Sequence, residues 1–309
     1  MKSYVRMARP DHWVKNLAVL PGTFAAVILL RTPLPALLMP LLLGLASVCL
    51  VSSANYVLNE WLDAPFDKLH PVKRSRPSVT GLVKRRFVYL EYAMTAVAGL
   101  LLAWAVSKLF LLAALALLLM GVLYNVRPFR TKDRAYLDVL SESVNNPIRL
   151  LMGWFIVTNQ FLPPSTLVLG YWMGGAFLMA VKRYSESRLF PDSRTAGLYR
   201  RSFARYTEES LLLSSVFYAI IASLLIGVFM IKYRVELVLT FPLLAILFVW
   251  YLRVGLKPDS AAQHPERLFR EKGLFFFVLL LAALMVLLLF VDVPWLHVLL
   301  SNSLLTFGL

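Results

Sequence analysis

The residues from Asn59 to Pro77 concentrate the side chains that could do chemistry. Three acids, Glu60, Asp63 and Asp67, follow the amide of Asn59, and Lys68, Lys73, Arg74 and Arg76 come close behind. Asp63 and Asp67 stand four residues apart, so on a helix they share a face. Magnesium takes one or two carboxylates and completes its shell with water and substrate phosphate oxygens. Lysine and arginine are the side chains that grip phosphate. Acids followed by cations therefore point to a metal-assisted diphosphate site, with Asn59, Glu60, Asp63 and Asp67 as candidate Mg2+ ligands. The competing reading is a solvated acidic turn paired with its lysines. The placement of these acids directly after the apolar run Leu34 to Leu58 favours the metal site.

Three other groups could serve such a site. Asp138, Glu142, Asn145, Asn146 and Arg149 recur at spacings of three and four, which puts them on one helical stripe. An ionisable residue inside a span faces a cavity or a partner. Asn145, Asn146 and Arg149 are thus expected to line a polar pocket, and the alternative is an internal ion pair such as Arg149 with Glu142. Lys182, Arg183, Tyr184 and Glu186 form a second cluster, which also reads as topology-setting charge at a helix end. Arg9, Trp13, Lys15 and Asn16 read either as an interfacial anchor or as phosphate contacts.

Such residues must be positioned by membrane helices. Apolar residues make up 59% of the 309 and charged residues 16%, below the quarter usual in soluble domains. Runs long enough to span occur at about 14–31, 35–58, 88–106, 109–126, 136–158, 165–182, 210–231, 235–252 and 273–291. Val293 to Leu309 reads as an interfacial tail or a tenth short segment. With nine spans, 27 of the 32 basic residues fall on one side, which predicts that the N-terminus, the long loops and the acidic motif face the cytoplasm. The net charge of +15 is thereby assigned to topology rather than to nucleic acid. The one cysteine, Cys49, permits no internal disulfide. No removable signal peptide is evident, and no linker divides residues 1–309, so a single domain is expected.

Asn59-Glu60-x-x-Asp63-x-x-x-Asp67 resembles the first aspartate-rich motif of the UbiA-type intramembrane prenyltransferase superfamily, with Glu60 where that motif usually has Asp. Asp67-x-x-His70-Pro71-x-Lys73-Arg74-x-Arg76-Pro77 resembles its polyprenyl-phosphate (decaprenyl-phosphate) phosphoribosyltransferase branch. So do Ala8-Arg9-Pro10-x-x-Trp13-x-Lys15-Asn16, Lys182-Arg183-Tyr184-x-Glu186 and Pro265-Glu266-x-Leu268. Prenyl-diphosphate users carry a second aspartate-rich motif, whereas this chain offers Glu186 and Asp192 among many cations.

The resemblance implies an all-α polytopic fold around a cavity open to the cytoplasm, in a bacterial inner membrane. It implies Mg2+-dependent transfer of a 5-phosphoribosyl group from phosphoribosyl diphosphate to a polyprenyl phosphate, feeding cell-envelope glycans. It makes Asn59, Asp63 and Asp67 catalytic. It makes Lys15, Asn16, His70, Lys73, Arg76, Asn146, Arg149, Lys182, Arg183, Tyr184 and Glu186 substrate contacts. Prenyl transfer to an aromatic or other small acceptor is the alternative activity, and a transporter or lipid-binding scaffold is the alternative class. A homo-oligomer is left open.

Overall fold

The computed structural model describes residues 2–258, 260–263 and 271–300, and among these the fold is all-α. The motif Pro265-Glu266-x-Leu268 and the last nine residues of the tail lie outside the described residues.

A short helix α1 (Lys2–Ala8) and a 3-10 stretch (Pro10–Val19) lead into α2 (Leu20–Leu30). The next helix, α3 (Leu38–Asp67), has 30 residues and is therefore about 45 Å long. A hydrocarbon core is about 30 Å thick, so α3 exceeds it and carries Asn59 to Asp67 on its last turns. The expected 35–58 run thus continues as helix through the acidic motif rather than ending before it.

Then come α4 (Arg85–Val106) and α5 (Lys108–Asn125), joined by Ser107 alone. Its hydroxyl caps α5 by accepting from the Phe110 N–H at 3.1 Å. The 136–158 run divides into α6 (Leu137–Ser143) and α7 (Asn145–Val157), because Pro147 has no N–H to offer the Ser143 carbonyl. The remaining helices are α8 (Ser165–Ser187), α9 (Ser193–Tyr199), α10 (Glu208–Tyr233), α11 (Phe241–Gly255), α12 (Lys272–Leu288) and α13 (Pro294–Leu299). Asp192 caps α9, and Thr207 with Ser210 forms a capping box on α10.

Six helical segments among the described residues are long and apolar enough to cross a membrane: 2–30, 35–67, 85–106, 108–125, 208–233 and 235–255. The difference from nine has a local cause in each case. The fifth run is broken at Val144, α8 ends in the charged 182–186 stretch, and α12 has only 17 residues. Within the expected tail, residues 294–299 form the six-residue helix α13.

Two apolar cores hold the bundle. One joins α2, α3, α4, α5 and α7 through Val19, Ala26, Val51, Phe110, Leu117 and Trp154. The other joins α6, α8, α10, α11 and α12 through Val139, Phe177, Val181, Tyr218, Tyr251 and Leu274. Within the first core, α2 and α7 meet through glycines. A Cβ on Gly153 would collide with the Val19 carbonyl, and one on Gly22 with that of Leu150. Small residues permit such close backbone approach between membrane helices. Gly153→Val is expected to force α2 and α7 apart and lower the melting temperature in detergent by several degrees, by about 1–3 kcal/mol of overpacking. An unchanged melt would contradict this packing.

Candidate active site

Asp63, Phe66 and Asp67 of α3 line a cleft with Arg130, Lys132 and Asp133 of the α5–α6 loop and with Tyr199 and Arg200. Asp63 and Asp67 project together because they are one turn apart. Asp63 accepts from Arg130 at 3.1 Å and from the Lys132 ammonium. Lys132 also donates to Asn125 Oδ1 at 2.6 Å, and Asn59 Nδ2 donates to that same oxygen at 2.7 Å. An ammonium nested between a carboxylate and an amide oxygen marks a position that favours positive charge. Asp67 is bound by Arg76.

The α8 side is also built from opposite charges. Glu186 takes Lys73 at 2.6 Å through Oε1 and Arg183 at 3.0 Å through Oε2, and the Tyr199 hydroxyl donates to Oε1 at 2.9 Å. Arg183, 1% exposed, further binds Asp138 at 3.0 Å, Glu142 at 3.2 Å and the Tyr124 hydroxyl at 2.9 Å. Arg200 donates to the Tyr124 hydroxyl at 3.1 Å, and its buried Nε has no hydrogen-bond partner. A buried donor left unpaired beside a cleft is a costly arrangement that an incoming anion would relieve.

Loss of hydration brings the Lys73 ammonium down from its ordinary 10.5 to about 8, against the raising pull of Glu186. Burial brings Lys132 down to about 8 as well, opposed by Asp63. The consequences for Lys73 have opposite signs. Below pH 8 folded and unfolded chains both hold its proton, and its burial penalty is present in full. Between about 8 and 10.5 only the unfolded chain holds the proton, so this group adds stability as pH rises. The charge available to an anion disappears over the same interval. Affinity for inorganic diphosphate is expected to fall as pH passes about 8, and Lys73→Arg should make the decline shallower, leaving the share that Lys132 contributes. A pH titration of diphosphate binding in both proteins that stays flat across about 8 would contradict this.

The structure gathers some of the sequence candidates and separates others. Asp63 and Asp67 line the cleft, Arg76 binds Asp67, and Lys73 and Arg183 bind Glu186, which also accepts from the cleft-lining Tyr199. Asn59 turns its amide to Asn125. Glu60 lies on the same helix as Asp67. It lies seven residues away, about 10 Å along the helix, and its carboxylate is closed by Arg9 at 3.1 Å and by Ser78. Among the described residues no three His, Cys, Asp or Glu side chains gather tightly enough for a metal cage. Asp63 and Asp67 remain as a pair, the small carboxylate set that suits magnesium shared with phosphate.

His70 shapes the loop, its Nδ1 accepting from the Val72 and Lys73 N–H groups at 3.1 and 3.2 Å, and its Nε2 lies 3.9 Å from Glu186 Oε1. Tyr184 points to Glu208 at 3.2 Å, away from the cleft. Asp192 is spent as the cap of α9. The expected alternative pairing of Arg149 with Glu142 is replaced, because Arg183 takes Glu142. Arg149 instead meets Asn16 at 3.2 Å and Ser52 at 3.3 Å, deeper in the bundle. Asn146 packs on α8 where Gly175 leaves room. Lys15 lies 3.1 Å from His12 Nδ1. Lys182 is half-buried, within electrostatic reach of Glu142 and Lys15.

Sequence reasoning passed over Arg130, Lys132, Tyr124, Tyr199 and Arg200. The loop cations looked like membrane-topology charges, and no spacing rule links residues 63 and 132. No signal in the sequence marks Lys132, whose burial at 3% exposed appears only in the folded chain.

Residues 19–272 match the model of the UbiA prenyltransferase family. Decaprenyl-phosphate phosphoribosyltransferase of Mycolicibacterium smegmatis is 28% identical over 208 residues, 67% of this chain and 63% of that protein's length. The protein of the same name from Mycobacterium tuberculosis is 29% identical over 208 residues, 67% of each chain. A 4-hydroxybenzoate octaprenyltransferase from Aeromonas salmonicida is 33% identical over 122 residues, 40% of this chain and 42% of its own. The solved UbiA homolog from Archaeoglobus fulgidus bound to DMAPP and Mg2+ aligns with a TM-score of 0.70 at 21% identity, covering 94% of this chain and all of that one.

Proposed function

The chain belongs to the UbiA prenyltransferase family, and on that premise we propose that it transfers a 5-phosphoribosyl group from phosphoribosyl diphosphate to a polyprenyl phosphate, releasing diphosphate. The observation that carries this reading is the charge of the cleft. Asp63 and Asp67 line it with Arg130, Lys132 and Arg200, whose buried Nε is unpaired, and nearby Glu186 is already neutralised by Lys73 and Arg183. Two phosphorylated substrates need cations on both walls, where a second acidic motif would repel them. The similarity to decaprenyl-phosphate phosphoribosyltransferases adds support. We place the cleft, the N-terminus and the long loops on the cytoplasmic side of a bacterial inner membrane, because the basic residues concentrate there.

Magnesium bound through Asp63 and Asp67 would neutralise the diphosphate as leaving group. Arg130, Lys132 and Arg76, which now balance these aspartates, are placed to take the diphosphate oxygens. The bond between ribosyl C1 and the diphosphate oxygen breaks, and its electron pair leaves with the diphosphate. An oxygen of the lipid phosphate supplies the pair for the new C1–O bond. That oxygen is already anionic, so the site needs no strong general base. Positive charge developing at C1 and the ring oxygen is stabilised by nearby carboxylate.

The decisive assay gives purified protein magnesium, radiolabelled phosphoribosyl diphosphate and a polyprenyl phosphate. Label should pass into the organic phase. Turnover only with a prenyl diphosphate and a small acceptor would replace this reading with prenyl transfer, the activity named in the Aeromonas relative. Arg200→Gln is expected to raise the KM for the sugar diphosphate about tenfold, since its free Nε would lose a charge-assisted bond. Kinetics at saturating lipid measure this, and an unchanged KM would remove Arg200 from the site.

A further inference from the structure

We infer that Arg149, with Asn16 and Ser52, forms a receptor for a phosphate monoester inside the bundle, separate from the diphosphate cleft. The inference rests on the proposed reaction for naming the two candidate sources, the headgroup of the acceptor lipid and the 5-phosphate of the sugar donor. Both carry the same terminal phosphate.

The argument begins with the company each interior arginine keeps. Arg183 meets three carboxylates, and Arg130 meets two. Arg149 meets none within ion-pair distance among the described residues. Its Nε donates to Asn16 Oδ1 at 3.2 Å, one terminal nitrogen to Ser52 Oγ at 3.3 Å, and the other to the Asn145 carbonyl at 3.4 Å. The surrounding groups are neutral as well. Asn16 Nδ2 donates to Cys49 Sγ at 3.3 Å, and Tyr171 donates to the Ala18 carbonyl at 3.3 Å. A guanidinium within a span that meets only neutral acceptors is costly and points to a missing anion. These acceptors are long and leave donors of the planar fork for a ligand. Arg149 is only half-buried, whereas its partners Asn16 and Ser52 are buried.

Depth separates this place from the cleft. Ser52 and Asp63 are eleven residues apart on α3, about 16 Å along its axis. Between them the helix shows polar Asn55 and Asn59, bonded to α5 at the Leu117 carbonyl and at Asn125. With Cys49, Ser52, Asp63 and Asp67 these make one polar stripe at three- and four-residue spacing. A substrate reaching from the cleft toward Ser52 would meet the metal-binding acids at one end and Arg149 at the other. Lys15 and Lys182, within electrostatic reach of each other, add positive charge to the same interior.

The test uses full-length protein in nanodiscs with polyprenyl phosphate, the corresponding polyprenol, ribose 5-phosphate and inorganic diphosphate as probes. Arg149→Gln should weaken one monoester at least tenfold and leave polyprenol and inorganic diphosphate unchanged. Arg149→Lys should restore part of the loss. Weakened polyprenyl phosphate, with a matching rise in lipid KM, assigns the pocket to the acceptor. Weakened ribose 5-phosphate, with a rise in sugar-donor KM, assigns it to the donor. Equal binding of both monoesters by wild type and Arg149→Gln would overturn the inference. Should Arg149→Gln fail to fold, Ser52→Ala and Arg149→Lys carry the test, with about threefold expected from the lost hydroxyl contact. A wild type that binds a monoester through Arg149 yet transfers no ribosyl label would refute the proposed reaction and leave the pocket standing.

Discussion

Asp63→Asn is expected to lower ribosyl transfer on the order of a thousandfold while the protein stays folded, as loss of a group that stabilises leaving-group charge does. The change removes one charge and keeps the shape. Its effect on folding is contained because the cations that now hold Asp63 have other partners. Arg130 also reaches Asp133 at 3.2 Å and the Asn125 carbonyl at 2.9 Å, and Lys132 keeps Asn125 Oδ1 at 2.6 Å. The melting temperature should therefore move by only a few degrees. The effect on turnover is large because Asp63 and Asp67, one turn apart on α3, are the pair proposed to share a metal with phosphate. Radiolabel transfer and thermal unfolding, measured on one preparation, separate the two effects. Full turnover in the variant would sink the assignment of Asp63.

Arg183→Gln should instead act on the fold. Its guanidinium is the common counter-ion of Asp138, Glu142 and Glu186, and Asp138 is fully buried. Taking away one partner of a buried charge cluster costs about 3–5 kcal/mol, because the remaining charges stay desolvated. Arg200, 3.7 Å from Asp138, and Lys73, 2.6 Å from Glu186, offset part of this and leave Glu142 the most exposed to the loss. The measurable result is a melting temperature lower by roughly 5–15 °C in detergent. Arg183→Lys should rescue little, since one ammonium cannot reach three carboxylates and the Tyr124 hydroxyl in the directions that a planar fork does. Adding Asp138→Asn to Arg183→Gln should recover part of the stability by removing the most deeply buried orphaned charge. A melt equal to wild type in Arg183→Gln would show that the cluster contributes nothing to folding.

The sequence by itself determined the membrane class, the helical runs and the acidic stretch. Apolar length and hydropathy act locally, and the four-residue step from Asp63 to Asp67 fixes a shared face in any helix. It also marked Arg149 as an ion inside a span, and Lys73, Arg183 and Glu186 as members of charged stretches. Its motifs carried the family resemblance, and the match over residues 19–272 shows that family.

Only the tertiary structure decided which charge meets which. Lys132 reaches Asp63 across 69 positions, Lys73 reaches Glu186 across 113 and Arg149 reaches Asn16 across 133. No helical period encodes such pairings. They depend on how α3, α5, α6 and α8 pack and on where the loops fold back. For the same reason the alternative pairing of Arg149 with Glu142, which a shared stripe allowed, does not form. A shared stripe places side chains on one face, but the ion pair goes to whichever opposite charge the neighbouring element brings within reach. For Glu142 that was Arg183, and Arg149 was left with amide and hydroxyl oxygens.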